Sequence, residues 1–164
     1  ACDTMNFWIQ SRRPDLIELL KHVDMVTLND GEARQLTEKV NLVQAAKWIM
    51  DCGPRHVIIK KGEHGAFMFN RDSIFFAPAF PLENVFDPTG AGDSFAGGFI
   101  GYLARTKDLS ESNMRRAVMY GSAMGSFAVE KFSTERLMTL TRPEIDSRIR
   151  ELRQLVAFEE ELPA

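Results

Sequence analysis

Short apolar runs that alternate with longer segments of helical period constrain the fold of this chain more than any other feature. Met25-Val26-Thr27-Leu28, ending at Asn29, and Val57-Ile58-Ile59-Lys60 have the length and β-branched content of buried strands. Around them, residues 14–22 carry Leu16, Leu19 and Leu20 on one helical face, with Pro14 suited to a first turn. Residues 42–50 carry Leu42, Ala45, Ala46 and Ile49 at helical spacing before a stop at Gly53-Pro54. A shorter helix is expected over residues 30–36. Such alternation predicts βα units and a mainly parallel sheet. Ala66-Phe67-Met68-Phe69 and Ser73-Ile74-Phe75-Phe76-Ala77 flank Asn70-Arg71-Asp72, which predicts an antiparallel hairpin at the sheet edge. Residues 5–9 read as a short strand or strand exit.

The second half reads as helical. A glycine-rich helix is expected from Asp93 to about Ala104; Gly97, Gly98 and Gly101 within it each cost roughly 1 kcal/mol against Ala. Close packing on the sheet is the expected compensation, with Phe95 and Phe99 in the core. A long small-residue helix is expected over residues 111–129. Thr141 and Glu144, with Pro143 between them, form a capping-box pattern opening a last amphipathic helix to about Val156. Residues 159–164 are expected to fray. With 164 residues, 45% of them hydrophobic, the chain is the size of a single domain.

Bulk properties exclude several functions. A net charge of −3 gives no electrostatic case for nucleic-acid binding. No apolar run approaches the roughly 18 residues a membrane span needs. Cys2 and Cys52 lack any CxxC spacing and read as free thiols of a reducing compartment, hence a cytoplasmic protein. His22, His56 and His64 do not cluster, and Trp8 fits a core or a lid-facing position. The chain opens on Ala1 rather than Met, in what reads as the middle of a fold, and is expected to be a fragment.

The chemistry concentrates in Asp87-Pro88-Thr89-Gly90-Ala91-Gly92-Asp93, followed by the glycine-rich helix. Amides at a helix start lack partners, and the helix dipole adds about half a positive charge there. Such a mouth binds an anion, and Asp93, read as the first residue of the helix, is a carboxylate at its rim. An anion hole beside a base suits phosphoryl transfer to an alcohol. A bare Gly-x-Gly-Asp is equally a tight strand-to-helix turn with an acidic cap. No Gly-Lys-Ser/Thr follows, so the turn is not a Walker loop, and Phe95 at the third glycine position argues against a dinucleotide fingerprint. Asn29 and Glu32, at i and i+3 beyond a strand, share one face; they fit phosphate handling or a plain capping pair. Gly62 and Gly65 bracket a turn that could be an ordinary hairpin.

Residues 87–100 resemble the second signature of the PfkB (ribokinase-like) carbohydrate kinases. Three other segments resemble family elements in the family's order: Asn29-Asp30-Gly31-Glu32, Lys60-Lys61-Gly62-Glu63-His64-Gly65 and Tyr120-Gly121-Ser122-Ala123. The resemblance implies a ribokinase-like three-layer α/β/α fold, with this chain the C-terminal, nucleotide-side portion as one domain, and the N-terminal substrate half and β lid absent. It implies an ATP-dependent kinase of a sugar or nucleoside, with Asp93 as catalytic base and the amides of Gly90, Ala91, Gly92 and Asp93 as anion hole. Preorganised donors of this kind are worth about 3–4 kcal/mol each.

By the same resemblance Asn29 and Glu32 act on the phosphates and on Mg²⁺, Glu32 through water. Lys60 faces the phosphates, Lys61 is solvated, Gly62 and Gly65 admit the nucleotide, and Gly121 and Ser122 line the adenine pocket. Asp87 and Thr89 belong to a site for a monovalent cation, K⁺, although residues 130–134 lack the glycine such a site is expected to have. A homodimer fits the family. A non-catalytic nucleotide-binding remnant is the alternative, and an oxidoreductase-type Rossmann domain is disfavoured because no GxGxxG follows a first strand.

Overall fold

A computed structural model describes residues 1–158; the segment expected to fray lies outside them. The chain divides into two compact units, Ala1–Ala77 and Pro78–Ala164.

The first unit is α/β. Five strands, β1 (Cys2–Asp3), β2 (Met25–Asn29), β3 (His56–Lys60), β4 (Ala66–Phe69) and β5 (Ile74–Ala77), lie side by side in chain order. β1, β2 and β3 are parallel, and β3, β4 and β5 antiparallel, so the expected hairpin forms the edge. The Asn70 side-chain oxygen fixes its turn by accepting from the amides of Asp72 (2.9 Å) and Ser73 (2.6 Å). The parallel connections carry α1 (Asn6–Ser11), α2 (Arg13–Leu20), α3 (Asp30–Thr37) and α4 (Leu42–Cys52).

Period-two side chains Val26, Leu28, Val57, Ile59 and Phe69 share one sheet face and form a core with Leu16, Leu20, Leu36, Ala45, Ala46 and Ile49 of the helices. Burying each large aliphatic side chain stabilises the unit by about 1.5–3 kcal/mol. α4 begins where the Asn41 side-chain oxygen accepts from the amides of Val43 and Gln44, and ends at Gly53.

Two expectations are corrected here. Residues 5–9 are not a strand: the Met5 carbonyl accepts from the amides of both Trp8 and Ile9, starting α1, while the strand has ended at Asp3. Leu19 is 46% exposed, so the α2 core face is carried by Leu16 and Leu20.

The second unit is helical: α5 (Ala91–Thr106), α6 (Glu111–Ala128), α7 (Glu135–Thr139) and α8 (Arg142–Leu155). α5 and α6 form an antiparallel hairpin. Its turn is tied by Asn113, whose side-chain amide donates to the Thr106 hydroxyl (2.8 Å) and the Asp108 carbonyl (2.7 Å). Phe95 and Phe99 are buried, as expected. Of Gly97, Gly98 and Gly101, Gly98 is the one packed closely within the unit, against α6. A Cβ on Gly98 would lie 2.9 Å from the Tyr120 carbonyl oxygen, whereas one on Gly97 or Gly101 would meet nothing within 4 Å. At α8 the Glu144 carboxylate accepts from the Thr141 amide (2.8 Å) and hydroxyl (2.5 Å). These bonds and Arg136 hold the Glu144 pKa down at about 2. α7 has no counterpart in the expectations. No helix of the described residues is long and apolar enough to cross a membrane.

Candidate active site

In the first unit, the parallel register brings the carboxyl ends of three strands level, with Asp3 opposite Thr27 and Asn29 opposite Lys60. Ligands of open α/β sheets bind at this end. Asn29 and Glu32 close a reciprocal capping box. The Asn29 side-chain oxygen accepts from the Glu32 amide, and the Glu32 carboxylate accepts from the Asn29 amide, both at 2.8 Å. The capping reading of this pair is therefore realised, and it holds both polar groups at the strand exit.

Glu32 is only 7% exposed, and burial raises its pKa; the amide bond from Asn29 and the nearby Lys60 charge act in the opposite direction. The Lys60 ammonium pairs with Asp3 at 3.2 Å. Asp3, a residue the sequence reading missed, thus adds a second carboxylate to the group. Lys61 lies over the Phe67 ring, its ammonium 5.4 Å from the ring centre, so its stem is not simply solvated. Gly62 opens a 3-10 turn, Gly62–His64, with φ of 57°, and Gly65 closes it with φ of 81°.

In the second unit, Gly90 caps α5 with φ of 77°, a left-handed conformation that suits glycine. The helix therefore starts at Ala91, and Asp93 is its third residue, not its first. Among the described residues the amides of Gly90, Gly92 and Asp93 make no hydrogen bond, while that of Ala91 donates to the Pro88 carbonyl at 3.2 Å. Three of the four expected anion-hole donors are thus unpartnered. The Asp93 side chain is exposed and has no hydrogen bond or ion pair among the described residues.

Beside this mouth is a depression of about 300 Å³. Asp87, Thr89, Gly90 and Ser94 form one side, and Phe132, Ser133, Thr134 and Leu137 the other. Asp93 does not line it, and Ser94, the next residue, was missed. The Asp87 carboxylate accepts from the Thr89 amide at 2.9 Å. That bond, the Thr89 hydroxyl and the Ser133 amide lower its pKa, keeping it charged. Ser133 adopts φ of 55°. The left-handed position in the segment where the sequence reading found no glycine is taken by serine.

Gly121 and Ser122 lie in the latter half of α6, not at a helix start. A Cβ on Gly121 would lie 3.0 Å from both the ring and the carbonyl oxygen of Phe95. What the structure shows for Gly121 is a helix–helix contact.

The donors present bear on metal binding. No group of three or more His, Cys, Asp or Glu able to hold a metal occurs among the described residues. One Glu32 oxygen is taken by the Asn29 amide. A partly hydrated Mg²⁺ reached through water suits this chemistry, since Mg²⁺ keeps several waters. The charged carboxylate of Asp87 with the Thr89 hydroxyl offers the hard oxygens an alkali cation takes.

Residues 4–140 match a family described as pfkB family carbohydrate kinase. The chain belongs to this family. It is 36% identical over 118 residues to the bifunctional ribokinase/ribose-5-phosphate isomerase A of Fructilactobacillus sanfranciscensis, covering 69% of this chain and 21% of that protein. It is 36% identical over 102 residues to a cytidine kinase of Thermococcus kodakarensis, covering 61% of this chain and 36% of that one. Among solved structures, aminoimidazole riboside kinase from Salmonella enterica, complexed with its riboside and an ATP analogue, superposes with a TM-score of 0.74 at 26% identity. That superposition covers 85% of this chain and 47% of the riboside kinase. The fold is thus the ribokinase-type α/β fold. The chain spans less than half the length of these relatives.

Proposed function

We propose that the protein transfers the γ-phosphoryl group of ATP to a hydroxyl of a sugar or nucleoside. Asp93 accepts the hydroxyl proton as the oxygen attacks phosphorus and ADP leaves. The amides of Gly90, Gly92 and Asp93 stabilise the charge that develops on the migrating group, with Ala91 shaping the turn. The observation that carries this reading is the unsealed start of α5, with its unpartnered amides beside an exposed carboxylate without a partner.

The Asn29–Glu32 box serves the phosphates, and Glu32 orients water around Mg²⁺, which supplies charge neutralisation on the phosphates when bound. Lys60, balanced by Asp3, keeps a positive charge at the same strand ends. Gly62 and Gly65, together with Gly121 and Ser122, are assigned to the nucleotide, and Asp87 and Thr89 to a K⁺ ion. The kinase names of the relatives support the reaction class.

The test is ADP release by the full-length protein, with ATP and Mg²⁺, against a panel of sugars and nucleosides. Turnover with at least one acceptor is expected. ATP binding by calorimetry with no transfer to any acceptor would instead identify a nucleotide-binding remnant, and absence of ATP binding would reject both.

A further inference from the structure

The far wall of the depression at α5 is held by a charged network that lies outside it. Glu130, at the end of the α6 segment, is bonded on both carboxylate oxygens: one to Arg136 of α7 at 2.9 Å, the other to Arg148 of α8 at 2.7 Å. Arg136 also reaches Glu144 at 2.7 Å. The Arg148 guanidinium packs on the rings of Phe80 and Phe127, 3.9 Å and 4.0 Å from their centres, and donates to the Ser126 hydroxyl at 2.7 Å. The side chains of Arg136, Arg148 and Glu130 are only 17%, 12% and 21% exposed, so the network is largely withdrawn from solvent. A planar guanidinium packed on two rings while bonding a carboxylate makes contacts that lysine would not reproduce.

None of these three side chains lines the depression, yet the segment they fix does. Phe132, Ser133 and Thr134 lie between Glu130 and Arg136 in sequence, and Leu137 follows directly. The near side is fastened to this segment where the Phe86 amide donates to the Val129 carbonyl at 2.9 Å. The wall is therefore placed by α8 through Glu130, and its separation from the Asp87–Ser94 side depends on that anchorage. A wall displaced by an ångström is enough to change binding severalfold.

We infer that Glu130, clamped by Arg136 and Arg148, is a positioning residue that sets nucleotide affinity by holding residues 132–137 across from the mouth of α5. The inference rests on the proposed kinase reading. In Glu130→Gln the side-chain volume is kept and the charge is lost. Assayed in the full-length protein, its KM for ATP rises about tenfold, while kcat and the KM for the acceptor stay within about twofold. Arg148→Lys, which keeps the charge but not the stacking, gives the same split in smaller measure and serves if Glu130→Gln does not fold. An ATP KM unchanged in the folded variants overturns the inference. So does a parallel fall in all three parameters with a lowered melting temperature, which marks a merely structural role. A wild-type protein that neither binds ATP nor transfers phosphate sinks the kinase reading itself, and the inference with it, and is distinguishable because it is seen before any substitution is made.

Discussion

Asp93→Asn in the full-length protein is expected to lower kcat by about 10²–10⁴-fold while leaving ADP affinity within about threefold. The side chain is exposed and bonds to nothing among the described residues, so the near-isosteric change removes no packing and no ion pair. What it removes is the capacity to accept a proton at the rim of the proposed anion hole. The backbone amides of Gly90 and Gly92 are untouched, and the nucleotide should still find them. Steady-state turnover together with calorimetric titration of ADP separates the two effects. A variant within about tenfold of wild-type turnover would remove Asp93 from the role of base.

The second large effect concerns stability. Gly98→Val is expected to destabilise the protein by about 3 kcal/mol, at the upper end of overpacking effects. Gly98 lies directly against α6. A Cβ there would lie 2.6 Å and 2.8 Å from Met124 Cγ and Cβ, and 2.9 Å from the Tyr120 carbonyl oxygen. The Met124 side chain can turn aside, but the carbonyl belongs to the α6 backbone, so relief requires the helices to separate. Separation would also loosen Gly121 from Phe95. Denaturant unfolding of wild type and variant measures the loss; a difference below about 1 kcal/mol would show that the hairpin accommodates the added bulk.

Much of this architecture was legible because the signals are local. The run 25–28 and its exit at Asn29, the stop of α4 at Gly53, and the hairpin turn at Asn70 each depend on residues a few positions apart. Asn29 and Glu32 were readable as a pair because a capping box is an i, i+3 pattern. The start of α5 was misplaced by two residues, because the sequence does not say that Gly90 takes the left-handed conformation and hands the first helical position to Ala91. Residues 5–9 failed because an apolar run of that length fits strand or helix, and the decision lay with one carbonyl, that of Met5.

Two features had no local signal. Asp3 and Lys60 are 57 residues apart and meet only through strand register. Glu130, Arg136 and Arg148 give no local sign of pairing; only the tertiary arrangement brings them together, with Arg148 against Phe80 and Phe127. The contact of Gly121 with α5 had no local signal either. Small residues in a helix suit a ligand and a neighbouring helix equally, and the structure shows Phe95 against it.

The most direct test is a crystal structure of the full-length protein with ADP and a planar mimic of the transferred phosphoryl group, such as aluminium fluoride. The expected result places the mimic's equatorial atoms about 2.7–3.2 Å from the amides of Gly90, Gly92 and Asp93. The Asp93 carboxylate should point to the acceptor side. A mimic bound elsewhere, with those amides capped by protein, or an Asp93 side chain turned away from the acceptor, would contradict the account.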